Sequence, residues 1–198
     1  MKKLVATIMC LTMVLAFASC SQTTIKKDTK TTKAIEKGND DKKDTDETVK
    51  DSEESSGDKV SFSTTDRDGN SFNDSLFADH DLTLINFWEP WCGPCVNEIP
   101  DLQKLYDNYA DLDLLVIGVY SEEGMEEDVD TILSDNGVTY PILRYTSDFD
   151  KYQSGYVPTT ILVDRQGNII ETENNGTLIV GSHSYSDWED IVTPYLGE

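Results

Sequence analysis

Two cysteines, Cys92 and Cys95, flank Gly93 and Pro94 and follow Trp91 in the stretch FWEPWCGPCVNEIP, residues 87–100. At this spacing a thiol pair can be a structural disulfide, half of a metal site, or a redox reagent. A disulfide closing a two-residue loop restricts the unfolded chain little, so a staple is a poor use of the pair. A zinc site needs four ligands. The chain has only two histidines, His80 and His183, neither in a paired motif, and no second cysteine pair. The redox reading has a mechanical basis if the pair opens a helix. There the first sulfur lies beside free N–H groups, and dipole and hydrogen bonding favour the thiolate. The thiolate attacks a partner's disulfide, and the second cysteine, one turn along, resolves the mixed disulfide. No metal is expected, and no cofactor beyond the redox-active Cys92–Cys95 disulfide.

The neighbouring elements supply that context. LTLINFW (82–88) is a short apolar run of the kind a buried central strand shows. From Cys92 to Tyr109, Val96, Ile99, Leu102, Leu105 and Tyr106 recur at helical spacing. Pro94 falls in the first turn, where its missing N–H costs nothing, and Pro100 is expected to kink the helix. Upstream, VSFSTTDRDGNSFNDSLF (60–77) alternates Val60 and Phe62 with serines before an Asp68-Gly69 turn, which predicts a β-hairpin.

Downstream, LLVIGVY (114–120) predicts a second buried strand. GMEEDVDTILSDNGV predicts a helix with Met125, Val129, Ile132 and Leu133 inward, stopped at Asn136-Gly137. PILRY is a short strand. VPTTILVDRQGNIIET predicts a strand, a turn at Gln166-Gly167-Asn168, and another strand. SYSDWEDIVTPYL closes as a helix capped by Ser184 or Ser186, with Trp188, Ile191 and Val192 facing the core. This order indicates an α/β layer with both sheet faces covered.

The N-terminus reads differently. Lys2 and Lys3 precede an apolar run from Leu4 to Phe17 and then Ala18-Ser19-Cys20, the pattern of an export signal too short to span a bilayer comfortably. Residues 21–58 are almost wholly Lys, Asp, Glu, Thr and Ser, with Ile25, Ile35 and Val49 the only aliphatic residues longer than alanine. Such a stretch cannot bury enough apolar area to order itself, and as a flexible tether it reaches about 35 Å. Three segments follow: a signal over 1–19, a charged tether over 20–58 and a folded domain over 59–198. With Cys10 inside the signal, Cys92 and Cys95 pair with each other or not at all in the folded domain.

Between Lys59 and Glu198 stand 6 basic and 27 acidic residues, carrying −21 of the chain's net −22. A domain this acidic is repelled by nucleic-acid phosphates and anionic polymers, which excludes nucleic acid as a partner. The acidic run SEEGMEEDVD (121–130) reads as a solvated helix face rather than a docking surface.

Two resemblances sharpen these readings. The small residues before Cys20 resemble the lipobox of bacterial lipoproteins, although Phe17 stands where that family most often has leucine. The resemblance implies lipidation at Cys20 and anchoring to the outer face of the cytoplasmic membrane. Second, LINFWEPWCGPC, VIGVY and VPTTILVDRQGNII together resemble the thioredoxin fold, and within it the membrane-tethered TlpA/ResA-type thiol-disulfide oxidoreductases. The match covers about residues 60–196. It implies a central mixed sheet flanked by helices, with an added N-terminal β-hairpin.

Residue by residue, the resemblance makes Cys92 the nucleophile and Cys95 the resolving cysteine. It places Val157 and Pro158 at the cis-proline position, which lies against the active sulfur and offers backbone to a substrate strand. Trp91 caps the motif, with Gly93 and Pro94 between the thiols as in thioredoxin itself. Asn86 stands where cytoplasmic thioredoxins carry aspartate. Glu98, one turn past Cys95, matches a carboxylate expected to be partly buried, to have a raised pKa, and to exchange a proton with Cys95.

The activity implied is reduction of disulfides in exported client proteins, such as apocytochrome c or a methionine sulfoxide reductase. An integral-membrane thiol electron donor would rereduce the pair. Two alternatives stand beside it. A peroxiredoxin-like peroxidase wants a threonine or serine three residues before its reactive cysteine, where this chain has Glu89. A copper-binding or delivery module wants wider cysteine spacing and a nearby histidine, for which only His183 is at hand.

Overall fold

A run of apolar residues with no polar face must be covered on both sides, and strands 82–87 and 114–120 meet that demand at the centre of a sheet. In the computed structural model, which describes residues 59–121 and 123–197, seven strands and three α-helices follow one another. The strands are β1 (Ser63–Thr65), β2 (Ser71–Asn73), β3 (Leu82–Phe87), β4 (Leu114–Tyr120), β5 (Ile142–Arg144), β6 (Thr159–Asp164) and β7 (Ile179–Val180). The helices are α1 (Gly93–Tyr109), α2 (Glu126–Asp135) and α3 (Tyr185–Val192). The expected signal over 1–19, the expected lipid site Cys20 and the expected tether to residue 58 lie outside the described residues.

The main sheet has the order β5-β4-β3-β6-β7. β3 pairs parallel with β4 and antiparallel with β6, while β4 pairs parallel with β5. Alternation along each strand sorts side chains between two cores. Leu82, Leu84, Leu114, Val116 and Leu162 enter the core containing Ile99, Leu102 and Leu105 of α1 and Trp188 and Val192 of α3. Ile85, Phe87, Ile117, Val119, Ile161 and Val163 enter the opposite core. Both parallel crossovers, β3-α1-β4 and β4-α2-β5, step the same way across the sheet. The right-handed rule therefore sends α1 and α2 to one face, and Val129 of α2 joins the core of α1.

Among the described residues, the second face is covered without an α-helix. Val60 and Phe62, from the segment leading into β1, pack there with Phe77 of a 3-10 turn (Asp74–Asp79) and with Phe149 and Tyr152 of another (Ser147–Tyr152). β1 and β2 form the expected antiparallel hairpin, with Thr65 opposite Ser71.

One local expectation needs correction. The strand predicted after Gln166-Gly167-Asn168 shrinks to a single bridge between Val163 and Ile169. Asp164 holds this turn by accepting from the backbone N–H groups of Gln166 and Asn168, at 2.9 and 2.8 Å. The chain then closes a second turn, Thr172 to Gly176, instead of continuing the ladder. The partner of β6 near its start is β7, pairing Thr159 with Val180 and Thr160 with Ile179. Pro100 lies within α1, which runs unbroken from Gly93 to Tyr109.

The caps are conventional. Ser184 caps α3 in a reciprocal box with Asp187. Gly137, with φ of 60°, takes the left-handed turn just past α2, which glycine enters without a Cβ penalty.

Candidate active site

β3 ends at Phe87, and five residues later Cys92 is the N-cap of α1. Cys92 has extended backbone angles, and its Sγ accepts from the backbone N–H of Cys95 at 3.2 Å. The sulfur thus receives one of the amide groups that the first turn of a helix leaves without an intrahelical acceptor. Pro94 occupies the first turn, where no such amide is lost. Cys92 and Cys95 are joined as a disulfide. Both are buried, while Gly93 and Pro94 between them are exposed.

The opposite wall comes from the loop before β6. The Val157–Pro158 peptide bond is cis. The carbonyl oxygen of Val157 lies 3.6 Å from Cys92 Sγ, bringing together residues 65 apart in sequence. Pro158 is buried, and its carbonyl accepts from Gly181 N–H at 3.0 Å. Trp91 projects outward, 60% exposed, rather than into the core.

Behind the thiols, Glu98 is 2% exposed on the inner face of α1. Its Oε1 accepts from His183 N–H at 2.7 Å and from Trp188 Nε1 at 3.0 Å. Its Oε2 accepts from Asn86 Nδ2 at 3.2 Å, and the same amide donates to Thr160 Oγ1 at 2.9 Å. Burial raises the Glu98 pKa from 4.5 to about 7, and the three donors only partly oppose that shift. A carboxyl titrating near neutrality, one helical turn from Cys95, can carry a proton to or from a thiol at physiological pH.

The site residues expected from the sequence are Cys92, Cys95, Glu98, Trp91, Gly93, Pro94, Val157 and Pro158. The structure gathers all eight at the N-terminal end of α1 and the facing loop. It adds donors that had no local signal: Trp188, treated as core, and the backbone of His183. It also adds Ser121, whose N–H and Oγ both donate to Glu89 Oε1.

The redoxin family model matches residues 52–178. The chain belongs to the redoxin family. Among this redoxin's relatives, thiol-disulfide oxidoreductase ResA of Halalkalibacterium halodurans is 32% identical over 95 residues, 47% of this chain and 53% of the relative. Thioredoxin-like protein YneN of Bacillus subtilis is 34% identical over 97 residues, 48% of this chain and 56% of the relative. The chain thus spans about half the length of the relatives it matches.

Solved structures cover more of the redoxin. A thioredoxin-family thiol:disulfide interchange protein from Chlorobium tepidum is 28% identical with a TM-score of 0.59. That alignment covers 70% of this chain and 95% of the other. StoA from Bacillus subtilis, at 21% identity and a TM-score of 0.52, shares the fold. The redoxin is a TlpA/ResA-like protein with a thioredoxin fold, its mixed sheet joined by a separate two-stranded hairpin on the N-terminal side.

Proposed function

We propose that this redoxin is an extracytoplasmic, membrane-anchored thiol-disulfide oxidoreductase that reduces disulfides of exported client proteins. The carrying observation is the position of Cys92 Sγ, held between the Cys95 N–H at 3.2 Å and the Val157 carbonyl at 3.6 Å. One side favours the thiolate. The other offers main-chain groups to an extended client segment.

The reaction balances as a two-electron exchange. The Cys92 thiolate attacks one client sulfur, forms a mixed disulfide and releases the other sulfur as a thiolate, which takes a proton. Cys95 loses its proton, with Glu98 as acceptor, and its thiolate attacks Cys92. The products are the Cys92–Cys95 disulfide and a client with both cysteines reduced. Trp91, Gly93, Pro94, Val157 and Pro158 form the rim against which the client lies.

The names of the ResA relatives support the chemistry. The export pattern and the residues before Cys20 support lipid anchoring. Among the described residues no helix is long and apolar enough to cross a membrane. Clients such as apocytochrome c or a methionine sulfoxide reductase, and an integral-membrane thiol donor, follow from the TlpA/ResA resemblance.

The test is the reduction potential of the full-length chain against glutathione or dithiothreitol, with Cys92→Ser as control. The Gly93-Pro94 dipeptide is that of thioredoxin, at about −270 mV, so a value well below about −200 mV is expected. A value above about −150 mV makes the protein an oxidant and overturns the reductant assignment. Cys95→Ser should trap clients as mixed disulfides on non-reducing gels.

A further inference from the structure

A cleft of about 590 Å³ opens beside the disulfide, lined by Trp91 and Glu89 on one side and by Gln153, Tyr156 and Val157 on the other. Its two exposed aromatics, Trp91 and Tyr156, show 60% and 73% of their surfaces to solvent. Glu89 is the one charged residue lining it among the described residues. That carboxylate is 7% exposed, and Ser121 holds its Oε1 from N–H and hydroxyl. The amide Nε2 of Gln153 is buried and finds no acceptor among the described residues, so a ligand carrying a carbonyl group would suit it.

Ser121 and Tyr145 also line a second cavity of about 510 Å³. Glu123 and Glu126 line that cavity, the latter paired with Arg144. Arg144 also lines the second cavity, so among the described residues Glu123 is its unmatched acid, and the buried Glu89 carboxylate belongs to the cleft beside Trp91 and Tyr156.

We propose that this cleft takes an extended client segment carrying a Lys or Arg side chain close to its reactive cysteine, with Glu89 as the specificity-determining residue. The proposal rests on the oxidoreductase reading and names its substrate class. Cys92 N–H donates to the Glu89 carbonyl at 3.0 Å, so the two residues share one tight turn. A client joined to Cys92 needs only about one to three residues to bring a basic side chain to Glu89. The aliphatic stem of lysine or arginine lies along apolar walls while its head meets the carboxylate. Trp91 and Tyr156 add cation–π attraction. The domain's −21 charge steers the same class of partner from a distance.

The test uses the reduced full-length chain and disulfide-bridged peptides differing only in residues beside the cysteine, arginine in one and glutamate in the other. Anaerobic rate constants for peptide reduction are the readout. The arginine peptide is expected to react about tenfold faster, and Glu89→Gln to remove most of that ratio. Asp111→Asn, the same charge loss at an exposed position outside the cleft, is expected to leave the ratio largely intact. Equal ratios in the two variants would reduce the effect to long-range steering and overturn the Glu89 assignment.

A second measurement needs only the unaltered protein. Moving the arginine about ten residues from the peptide cysteine should abolish the preference, and an undiminished preference would sink the proposal. If no peptide is reduced, the oxidoreductase reading itself falls. Reduction at equal rates defeats only the specificity.

Discussion

Trp188 and Glu98 are ninety residues apart, yet the indole Nε1 of Trp188 donates to Glu98 Oε1 at 3.0 Å in the fully buried space between α3 and α1. The last helix of the domain thus reaches the carboxyl behind the thiols. His183 reinforces the link: its N–H binds the same oxygen, and its ring centroid lies 4.9 Å from that of Trp188.

Glu98 makes stability depend on pH in a stated direction. Its folded pKa of about 7 lies above the ordinary 4.5, so the folded state binds more protons between those values. Stability is then fully present below pH 4.5 and falls as pH rises through about 7, by about 3 kcal/mol for this group. Glu98→Gln removes the titration. Urea midpoints at pH 5 and pH 8 should fall further in the unaltered protein than in the variant. Parallel pH curves would contradict the buried, titrating carboxyl. Asp101 and Tyr140 also interact with Glu98, and the variant leaves both in place.

Trp188→Phe removes a donor that favours the ionised carboxylate. The Glu98 pKa should rise further, which carboxyl carbon NMR of Glu98 would report. Lost packing costs stability at every pH, but loss of a hydrogen bond to a charged group adds about 1.5–3 kcal/mol only where Glu98 is ionised. The variant should therefore suffer more at pH 8 than at pH 5. A penalty equal at both would show that the indole only fills space.

Gly118→Ala tests the packing under the site. A Cβ there would sit 2.8 Å from Ile142 Cδ1 and 3.2 Å from Trp88 Nε1. Ile142 can give way at its tip, but Trp88 is a buried ring between β3 and the disulfide segment. Overpacking of this kind costs about 1–3 kcal/mol. An unchanged midpoint in thermal or urea unfolding would show that the space relaxes freely.

How much was legible follows from range. Strands β3 and β4 and helix α1 are written in local periodicity, because burial on both faces requires apolar runs and one buried stripe requires helical spacing. The hairpin was legible from Asp68-Gly69 and its flanking alternation. β7 was not: two residues cannot show a period, and Ile179–Val180 become a strand only because β6 offers them an edge. The strand expected at residues 169–172 had the right composition, but Asp164 and the Thr172–Gly176 turn claim its backbone.

The sequence by itself determined the reagent. Two cysteines one helical turn apart, a strand before them and a helix after them are all local, and local spacing dictates that one sulfur meets the helix N-terminus. Only the tertiary structure decided the surroundings of that reagent. It brought the Val157 carbonyl to Cys92, and Trp188, His183 and Asn86 to Glu98, and it opened the cleft that sets Glu89 beside Trp91 and Tyr156. Each of these groups except Asn86, Glu89 and Trp91 comes from a distant segment. Burial and hydrogen bonding act on what is near in space, which a linear pattern does not record.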